Sequence, residues 1–363
     1  MNESRANVEP MRDQIRSQPA VLRALLERRE EIADKIAAAS GGTARGLRQI
    51  WAVGHGDSYF APLAAADAFR QWTAVPYASM LAAEMAAYPP PGLGDGALVV
   101  VLSMSGGVGK SIAAARMARE RQARVLAVTN THGSALAEVA HETILLDITE
   151  SSAFLSGTVT YTASVLVLLM IAALGGVPTA QAPSAIDVLA TGIDGVATAL
   201  ASEAIVREWT ATLAAAPVWY ILGMGPQQAT ARYGAAKLVE VADMVAIPNE
   251  TEEFFHEHHW VVRPGDPVVI LAHDVPSRQR AAGAMAHLLE LQIPTALIGD
   301  AEAVPSGIVR VRLPSVESCV SPLPAAVPLQ WTAYWLSRAR GLDPNLRSHL
   351  RESPRYTVSR KHR

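Results

Sequence analysis

One pattern of strand-like segments occurs twice in this chain, about half its length apart. Residues 50–56 (Ile-Trp-Ala-Val-Gly-His-Gly) match 219–225 (Trp-Tyr-Ile-Leu-Gly-Met-Gly) at an offset of 169 positions. Residues 99–102 match 268–271 at the same offset, and a third pair, which starts at Val125 and Thr295, is offset by 170. A spacing shared by three such units indicates an internal duplication, which limits the fold to two copies of one unit.

Each copy alternates apolar strand-like runs with helical patterns, which is typical of a doubly wound α/β unit with a parallel sheet. We therefore predict an α/β fold of two tandem half-domains, each an α/β/α sandwich. The predicted divisions are a helical lead-in at 1–45, half-domains at 46–178 and 185–340, and a tail near the active site at 341–363. Within the lead-in, Pro19 is expected to split a helical pattern into two helices.

Composition excludes several classes of protein. The 363 residues are half hydrophobic with a net charge of −3, which gives no electrostatic reason to expect binding to nucleic acid or an anionic membrane. A single cysteine, Cys319, rules out an internal disulfide and a cysteine-based zinc site. The most apolar run, 165–177, is too short to span a bilayer. We expect a cytoplasmic protein without a membrane segment.

Two glycine-rich turns follow predicted strands. Residues 103–111 (Ser-Met-Ser-Gly-Gly-Val-Gly-Lys-Ser) come after the apolar run 97–102 and open a helix, where hydroxyls and free backbone N–H groups favour an anion. Residues 54–58 (Gly-His-Gly-Asp-Ser) are a candidate second wall of that anion site. The first turn is also a near miss for a nucleotide-binding P-loop. However, Met104 stands where that loop requires glycine.

Lys237, Glu240 and His256 supply the groups needed to move a proton between carbon atoms next to a carbonyl. Lys237 and Glu240 are three positions apart and share a face on a helix. Pro248 breaks this helix and leaves a turn that can fold His256 back toward them. The same residues have two other interpretations: Lys237 and Glu240 could form a surface salt bridge, or the histidines, including His258, could form a metal site. The spacing of the histidines disfavours the metal.

Five stretches of the chain match motifs that occur together in one known family. Four of them are 11–19, 54–59, 103–108 and 149–162. The fifth is Lys-x-x-Glu followed sixteen residues later by His, which Lys237, Glu240 and His256 reproduce. On these motifs the chain resembles the sugar isomerase (SIS) domain family, in particular the double-domain isomerase half of glutamine–fructose-6-phosphate transaminases.

The resemblance implies a role for each matched residue. Glu240, next to Lys237, would be the base that carries the proton between C1 and C2. His256 would assist ring opening, reaching the site from a partner subunit of a homodimer with a shared active site. Substrate-binding roles would fall to Ser58, Ser103, Ser105, Gly56, Gly106, Glu150, Thr158 and Arg355. No cofactor, metal or nucleic acid is implied, and the ligand would be a small sugar phosphate.

Some positions depart from the family pattern. Val108 replaces the threonine of the phosphate loop, and Asp57 replaces the threonine of the first turn. The family's C-terminal lysine has no clean counterpart, and Arg355, which stands nearest, would serve only as a fixed positive charge. We therefore expect an enzyme of the sugar-phosphate isomerase or deaminase type, acting on an amino sugar phosphate or a fructosamine phosphate through an enediol or enolamine. Isomerisation, deamination and deglycation stay open, and the alternative is a non-catalytic sugar-phosphate-binding regulator.

Overall fold

Helices and strands alternate along most of the chain in the computed structural model, which describes residues 9–41, 46–149, 156–176, 178–180, 184–301 and 303–361. The first part forms α1 (Pro10–Glu27), α2 (Arg29–Ala39), β1 (Gln49–Gly54), α3 (Asp57–Trp72), β2 (Tyr77–Leu81), α4 (Ala82–Ala87), β3 (Ala97–Leu102), α5 (Gly109–Glu120), β4 (Arg124–Thr129), α6 (Ala135–Val139), β5 (Glu142–Leu145) and α7 (Val159–Leu174). The second part forms α8 (Ala185–Ala199), α9 (Glu203–Ala211), β6 (Val218–Gly223), α10 (Pro226–Ala242), β7 (Val245–Asn249), β8 (Val268–Ala272), α11 (Val275–Glu290), β9 (Thr295–Gly299), β10 (Val309–Val311), α12 (Pro322–Ala339), α13 (Ser348–Arg351) and α14 (Pro354–Lys361).

The strands form two parallel five-stranded sheets of the same topology. The first has the order β2-β1-β3-β4-β5, and the second, read from its β7 edge, has the equivalent order β7-β6-β8-β9-β10. Register repeats as well, since Trp51 lies opposite Val99 and Tyr220 opposite Val268. These pairs keep the offset read from the sequence, so the predicted duplication and the α/β fold are confirmed.

Continuous apolar runs form the central strands because both faces of each sheet are covered by helices. All six residues of β3 and all five residues of β8 are buried. Pro248 does not end the helix that carries Lys237, contrary to the expectation from sequence: α10 ends at Ala242, where Asp243 is left-handed with φ +51°. Pro248 lies in β7, an edge strand of the second sheet. Proline is tolerated there because an edge strand leaves some backbone N–H positions without a ladder partner.

The two halves share one hydrophobic core. Helix α3 packs against α7 and against α10 of the other half, and α10 also packs against α12. Gly234 allows the last of these contacts, since a Cβ atom there would lie 2.7 Å from Cδ1 of Leu329. Across the junction, the rings of Tyr161 and Tyr233 stack with their centroids 3.7 Å apart. This packing holds the end of α10 against the first half.

Pro19 does not split the first helix, contrary to the expectation from sequence. Helix α1 runs without a break from Pro10 to Glu27. Proline removes the N–H that would bond the carbonyl one turn earlier, which is that of Ile15. The side-chain amide of Gln18 donates to this carbonyl instead, at 2.8 Å. The neighbouring residue therefore compensates for the lost backbone hydrogen bond.

The helical pattern predicted at 185–214 forms α8 and α9, joined by a 3₁₀ turn at Leu200–Ser202. By length and composition alone, the stretch Ala185–Ala211 would suffice to cross a membrane. Core helices of soluble proteins pass the same test. Here α8 packs against α1 and α12, and α9 against α12, so both helices belong to the core of the fold.

Candidate active site

Glycine shapes the sharp turn from β1 into α3. A Cβ atom at Gly54 would lie 2.2 Å from the carbonyl oxygen of Ser58, and Gly56 has φ +53° and ψ −129°, a conformation that only glycine adopts readily. The second half repeats the turn, with φ +59° and ψ −132° at Gly225. In the first half the tight turn places Asp57 and Ser58 at the carboxyl edge of the sheet, where ligands of α/β sheets bind.

A cavity of about 260 Å³ lies between this turn and the loop after β3. Its walls are His55, Ser58, Leu102, Ser103, Met104, Ser105, Val108 and Ser111. The structure therefore brings together the three serines that the resemblance assigns to a phosphate. The Ser103 hydroxyl is buried and has no hydrogen-bond partner among the residues that the structure describes, while Ser105 is exposed. Such a hydroxyl, in the loop that leads into the amino end of α5, suits an oxyanion ligand.

Gly106 gives the loop its shape. It has φ +57°, and a Cβ atom there would lie 2.1 Å from Oγ of Ser134.

In the second half a carboxylate occupies the equivalent helix start. Asp274 caps α11, accepting from the Ser277 N–H at 3.0 Å and from the Ser318 hydroxyl at 3.0 Å. Negative charge there disfavours an anion, so the anion-binding features belong to the first half.

Lys237 stands at the centre of a buried charge cluster. Its side chain is 0% exposed, and Nζ donates to Oδ2 of Asp57 at 2.7 Å and to Oε2 of Glu240 at 2.9 Å. Nζ also lies 5.2 Å from the centroid of the Tyr233 ring. The interpretation of Lys237 and Glu240 as a surface salt bridge is therefore wrong, because the ammonium is out of contact with solvent.

The two carboxylates respond differently to this environment. Burial raises the pKa of Asp57 to about 6, although the charge of Lys237 acts in the opposite direction. Burial also acts to raise the pKa of Glu240, but the charge and hydrogen bond of Lys237 outweigh it and hold that pKa below its ordinary value. For Lys237, burial is outweighed by the two carboxylates, which raise its pKa. Glu240 is thus an ionised carboxylate at neutral pH, as a base requires.

Three further elements hold Glu240 in place. The Ser156 hydroxyl donates to its Oε2 at 2.9 Å, and an Nη atom of Arg347 lies 3.5 Å from the same oxygen. The His349 ring is 3.2 Å from the Glu240 carbonyl oxygen. Helix α10 therefore inserts its final turn between the first half-domain and the C-terminal segment. A carboxylate fixed from several sides is preorganised for proton transfer.

His256 lies elsewhere in the subunit. Helix α10 starts at the carboxyl edge of its sheet and returns to the amino edge, so Glu240 is about 20 Å along the helix from that starting edge. His256 follows β7 and is therefore back at the carboxyl edge. Its side chain is 66% exposed and contacts Glu252 at 3.4 Å. In the part of the chain that the structure describes, it has no hydrogen bond or ion pair with Lys237 or Glu240.

The remaining predicted residues differ in their surroundings. Thr158 is buried, and its hydroxyl donates to Gln14 at 3.1 Å. Arg355 is exposed on α14, and Glu150 lies outside the described residues.

Sequence reasoning missed Arg347 and His349 as neighbours of Glu240. Asp57 entered it only as a departure from the family pattern. The signal that could have found it is a carboxylate at a position where the family pattern has a hydroxyl.

The comparison with protein families decides the assignment of the fold. The model of the SIS domain matches two segments of the chain, residues 45–172 and 212–307. The chain belongs to the SIS domain family. The first match contains the whole first sheet and the second contains β6 to β9 of the second sheet, so this SIS protein carries the domain in duplicate.

Known proteins are similar to this SIS protein over most of its length. The glutamine–fructose-6-phosphate aminotransferase (isomerizing) of Mycobacterium bovis is 29% identical over 328 residues, which are 85% of this chain and 51% of that protein. The chain thus spans about half the length of the curated relatives it matches. Two solved structures share the fold: the C-terminal domain of the Francisella tularensis glucosamine-fructose-6-phosphate aminotransferase (TM-score 0.81, 17% identity, 94% of this chain and 99% of that one) and the Escherichia coli tagatose-6-phosphate ketose/aldose isomerase (0.77, 18%, 96% and 97%).

Proposed function

We propose that this SIS protein is an enzyme that moves a proton between C1 and C2 of a sugar phosphate, with Glu240 as the base. One observation carries the proposal: the buried ammonium of Lys237 holds the ionised carboxylate of Glu240 close to the carboxyl edge of the first sheet. The loops at that same edge form the serine-lined cavity. The names of the relatives, an isomerizing aminotransferase and a ketose/aldose isomerase, agree with this chemistry.

The cavity would hold the phosphate and the end of α10 would meet the carbonyl end. Hydroxyls of Ser58 and Ser103, with backbone N–H groups at the start of α5, would bind the phosphate oxygens. Glu240 would then take the proton from C2 of the open-chain aldose and return it to C1, passing through an enediol or, with an amine present, an enolamine. The same intermediate serves isomerisation, deamination and deglycation.

A second subunit would complete the site. Because His256 and Glu240 lie at opposite edges of the second sheet in one chain, His256 would reach a Glu240 side chain only in another copy. The surface beside His256 has the composition of an interface, since Trp260 is 78% exposed and Val261 is 58% exposed. We therefore propose a homodimer in which each His256 serves the partner's Glu240 and assists ring opening. The free buried thiol of Cys319 agrees with a reducing cytoplasm.

Solvent deuterium tests the proposal. The wild-type protein is incubated in D₂O with hexose and amino-sugar 6-phosphates, and label at C1 or C2 is read by NMR. Glu240→Gln keeps the side-chain shape but removes the base, so exchange should fall by at least about 100-fold while sugar-phosphate binding persists. Glu142→Gln, which alters a surface pair with Lys35, is the matched control and should exchange like the wild type. Full exchange in Glu240→Gln would refute Glu240 as the base.

A non-catalytic sugar-phosphate-binding regulator is the second candidate. It is favoured by Val108, which puts an exposed apolar side chain on the loop beside the cavity in place of a hydroxyl. The same experiment separates the two candidates. Binding of a sugar phosphate without deuterium at C1 or C2 would indicate the regulator.

A further inference from the structure

We propose that Asp57 determines the substrate class, with its Oδ1 atom binding an amine carried by C1 or C2 of the sugar phosphate. The inference rests on the proposed function, because it takes Glu240 to act on those two carbons. Asp57 is a position at which the chain departs from the family pattern, so the preference would be particular to this protein and those that share the aspartate.

The geometry of Asp57 leaves one oxygen without a partner. Its Oδ2 accepts from Lys237 at 2.7 Å, whereas Oδ1 is buried and, in the described part of the chain, accepts no hydrogen bond. Gly157 packs directly against this carboxylate, since a Cβ atom there would lie 2.4 Å from Oδ2. A buried carboxylate oxygen that accepts no hydrogen bond destabilises the fold, because it has lost its water without gaining a donor. A ligand donor would remove that cost.

Asp57 also lies where the reacting end of the sugar would be. Its Oδ2 and the Oε2 of Glu240 both contact the same nitrogen, Nζ of Lys237. A substituent on the carbon that Glu240 deprotonates, or on the adjacent carbon, is therefore within reach of Asp57. The next residue, Ser58, lines the anion cavity. One turn at the start of α3 would thus contact both ends of the ligand.

The local charges favour a cation over a neutral donor. Asp57 is faced by Lys237, Glu240, Arg347, Tyr161 and Tyr233. Burial nevertheless raises its pKa to about 6, so the positive charge around it does not compensate for the loss of water. For Glu240 the balance is reversed and the pKa is lowered. Asp57 is therefore the carboxylate that still gains from a positively charged partner, and a protonated amine is a stronger donor to it than a hydroxyl.

Ligand pairs that differ in one group test the inference. Dissociation constants are measured by calorimetry for glucosamine 6-phosphate against glucose 6-phosphate, and for 1-amino-1-deoxyfructose 6-phosphate against fructose 6-phosphate. Asp57→Asn keeps the shape and removes the charge. It should weaken binding of the amine ligands by about 10- to 100-fold and change the hexose phosphates by less than about threefold. The two amine arms show whether the amine sits on C1 or on C2.

Asp67→Asn is the matched control, because Asp67 lies on the same helix and bonds Arg70 and Gln71 away from the cluster. It should leave all four constants unchanged. If Asp57→Asn weakens both ligand classes equally, or neither, the role of Asp57 is refuted while the proposed function stands. If the wild-type protein binds no sugar phosphate at all, the proposed function fails and takes this inference with it.

Wild-type protein provides a second test that is independent of any folding defect in the variant. As the pH falls through about 6, Asp57 takes up a proton and its attraction for an amine is lost. The ratio of amine to hexose affinity should therefore decline. Ionisation of the phosphate cancels in this ratio because both ligands carry it. A preference for the amine that is constant from pH 5 to pH 8 would overturn the proposal.

Discussion

Replacing Lys237 by methionine isolates the energetic role of the charge cluster. Methionine has a stem of similar length and no charge, so the packing beside Tyr233 is largely kept. Asp57 and Glu240 would then lose the ammonium that contacts both of them at 2.7 and 2.9 Å. Two carboxylates would be left close together in a site where the lysine side chain is 0% exposed.

The expected loss is large because a buried ion pair is broken from one side. Removing one partner of such a pair lowers the free energy of unfolding by about 3–5 kcal/mol. A surface pair is typically worth about 0–1 kcal/mol. Lys35→Met is the matched control, since Lys35 pairs with Glu142 at 3.0 Å but its side chain is 42% exposed. Lys35→Met should lower the free energy of unfolding by no more than about 1 kcal/mol.

The loss should depend on pH in a definite direction. In the wild type, Lys237 holds the folded-state pKa of Glu240 below its ordinary value, which stabilises the fold above the unfolded-state pKa. In the variant, both carboxyl groups would have folded-state pKa values above the unfolded ones. Their ionisation would then oppose folding at neutral pH, and this cost would vanish as the pH falls and both groups take up protons. The difference between wild type and variant should be widest above pH 7 and narrow toward pH 5.

Urea unfolding followed by circular dichroism at pH 8, 6.5 and 5 measures this difference directly. The Lys35→Met control should show a small difference at every pH. A Lys237→Met variant that loses less than about 1 kcal/mol at pH 8, or loses the same amount at all three values, would refute the assignment of Lys237 as a buried ammonium shared by two carboxylates.

Two other changes test the local structure. Gly106→Ala should lower the free energy of unfolding by about 2 kcal/mol or more, because a Cβ atom is strained at φ +57° and meets a serine Oγ at 2.1 Å. Gly107→Ala, whose nearest neighbour is at 3.8 Å, should change it by less than about 0.5 kcal/mol, and equal losses in urea melts would contradict this account of the loop. Gln18→Leu should cost about 1–3 kcal/mol, because it leaves the carbonyl freed by Pro19 unpaired. Adding Pro19→Ala should restore part of the stability in the same melts, since an N–H returns to that carbonyl; no recovery would exclude the compensation.

The site is only partly predictable from sequence, and the reason is distance along the chain. Ser58 and Ser103 are found by local signals, because glycine-rich turns after apolar strands of a parallel sheet converge at one edge. Lys237 and Glu240 are found by helical spacing. The contact of Asp57 with Lys237 joins residues 180 positions apart, and that of Arg347 with Glu240 closes from the C-terminal segment. No local pattern encodes these contacts.

Sequence by itself determined the architecture, because the duplication, the apolar strand runs and the glycine-rich turns are periodic or local features. Each of them follows from the residues of a short segment and needs no knowledge of distant contacts. The tertiary structure alone decided the electrostatics of the site. Packing of α10 against α3 buries Lys237 between Asp57 and Glu240, and burial sets their pKa values in opposite directions. The path of the chain places His256 at the opposite edge of the second sheet from Glu240, because α10 crosses the sheet in one direction and β7 returns in the other.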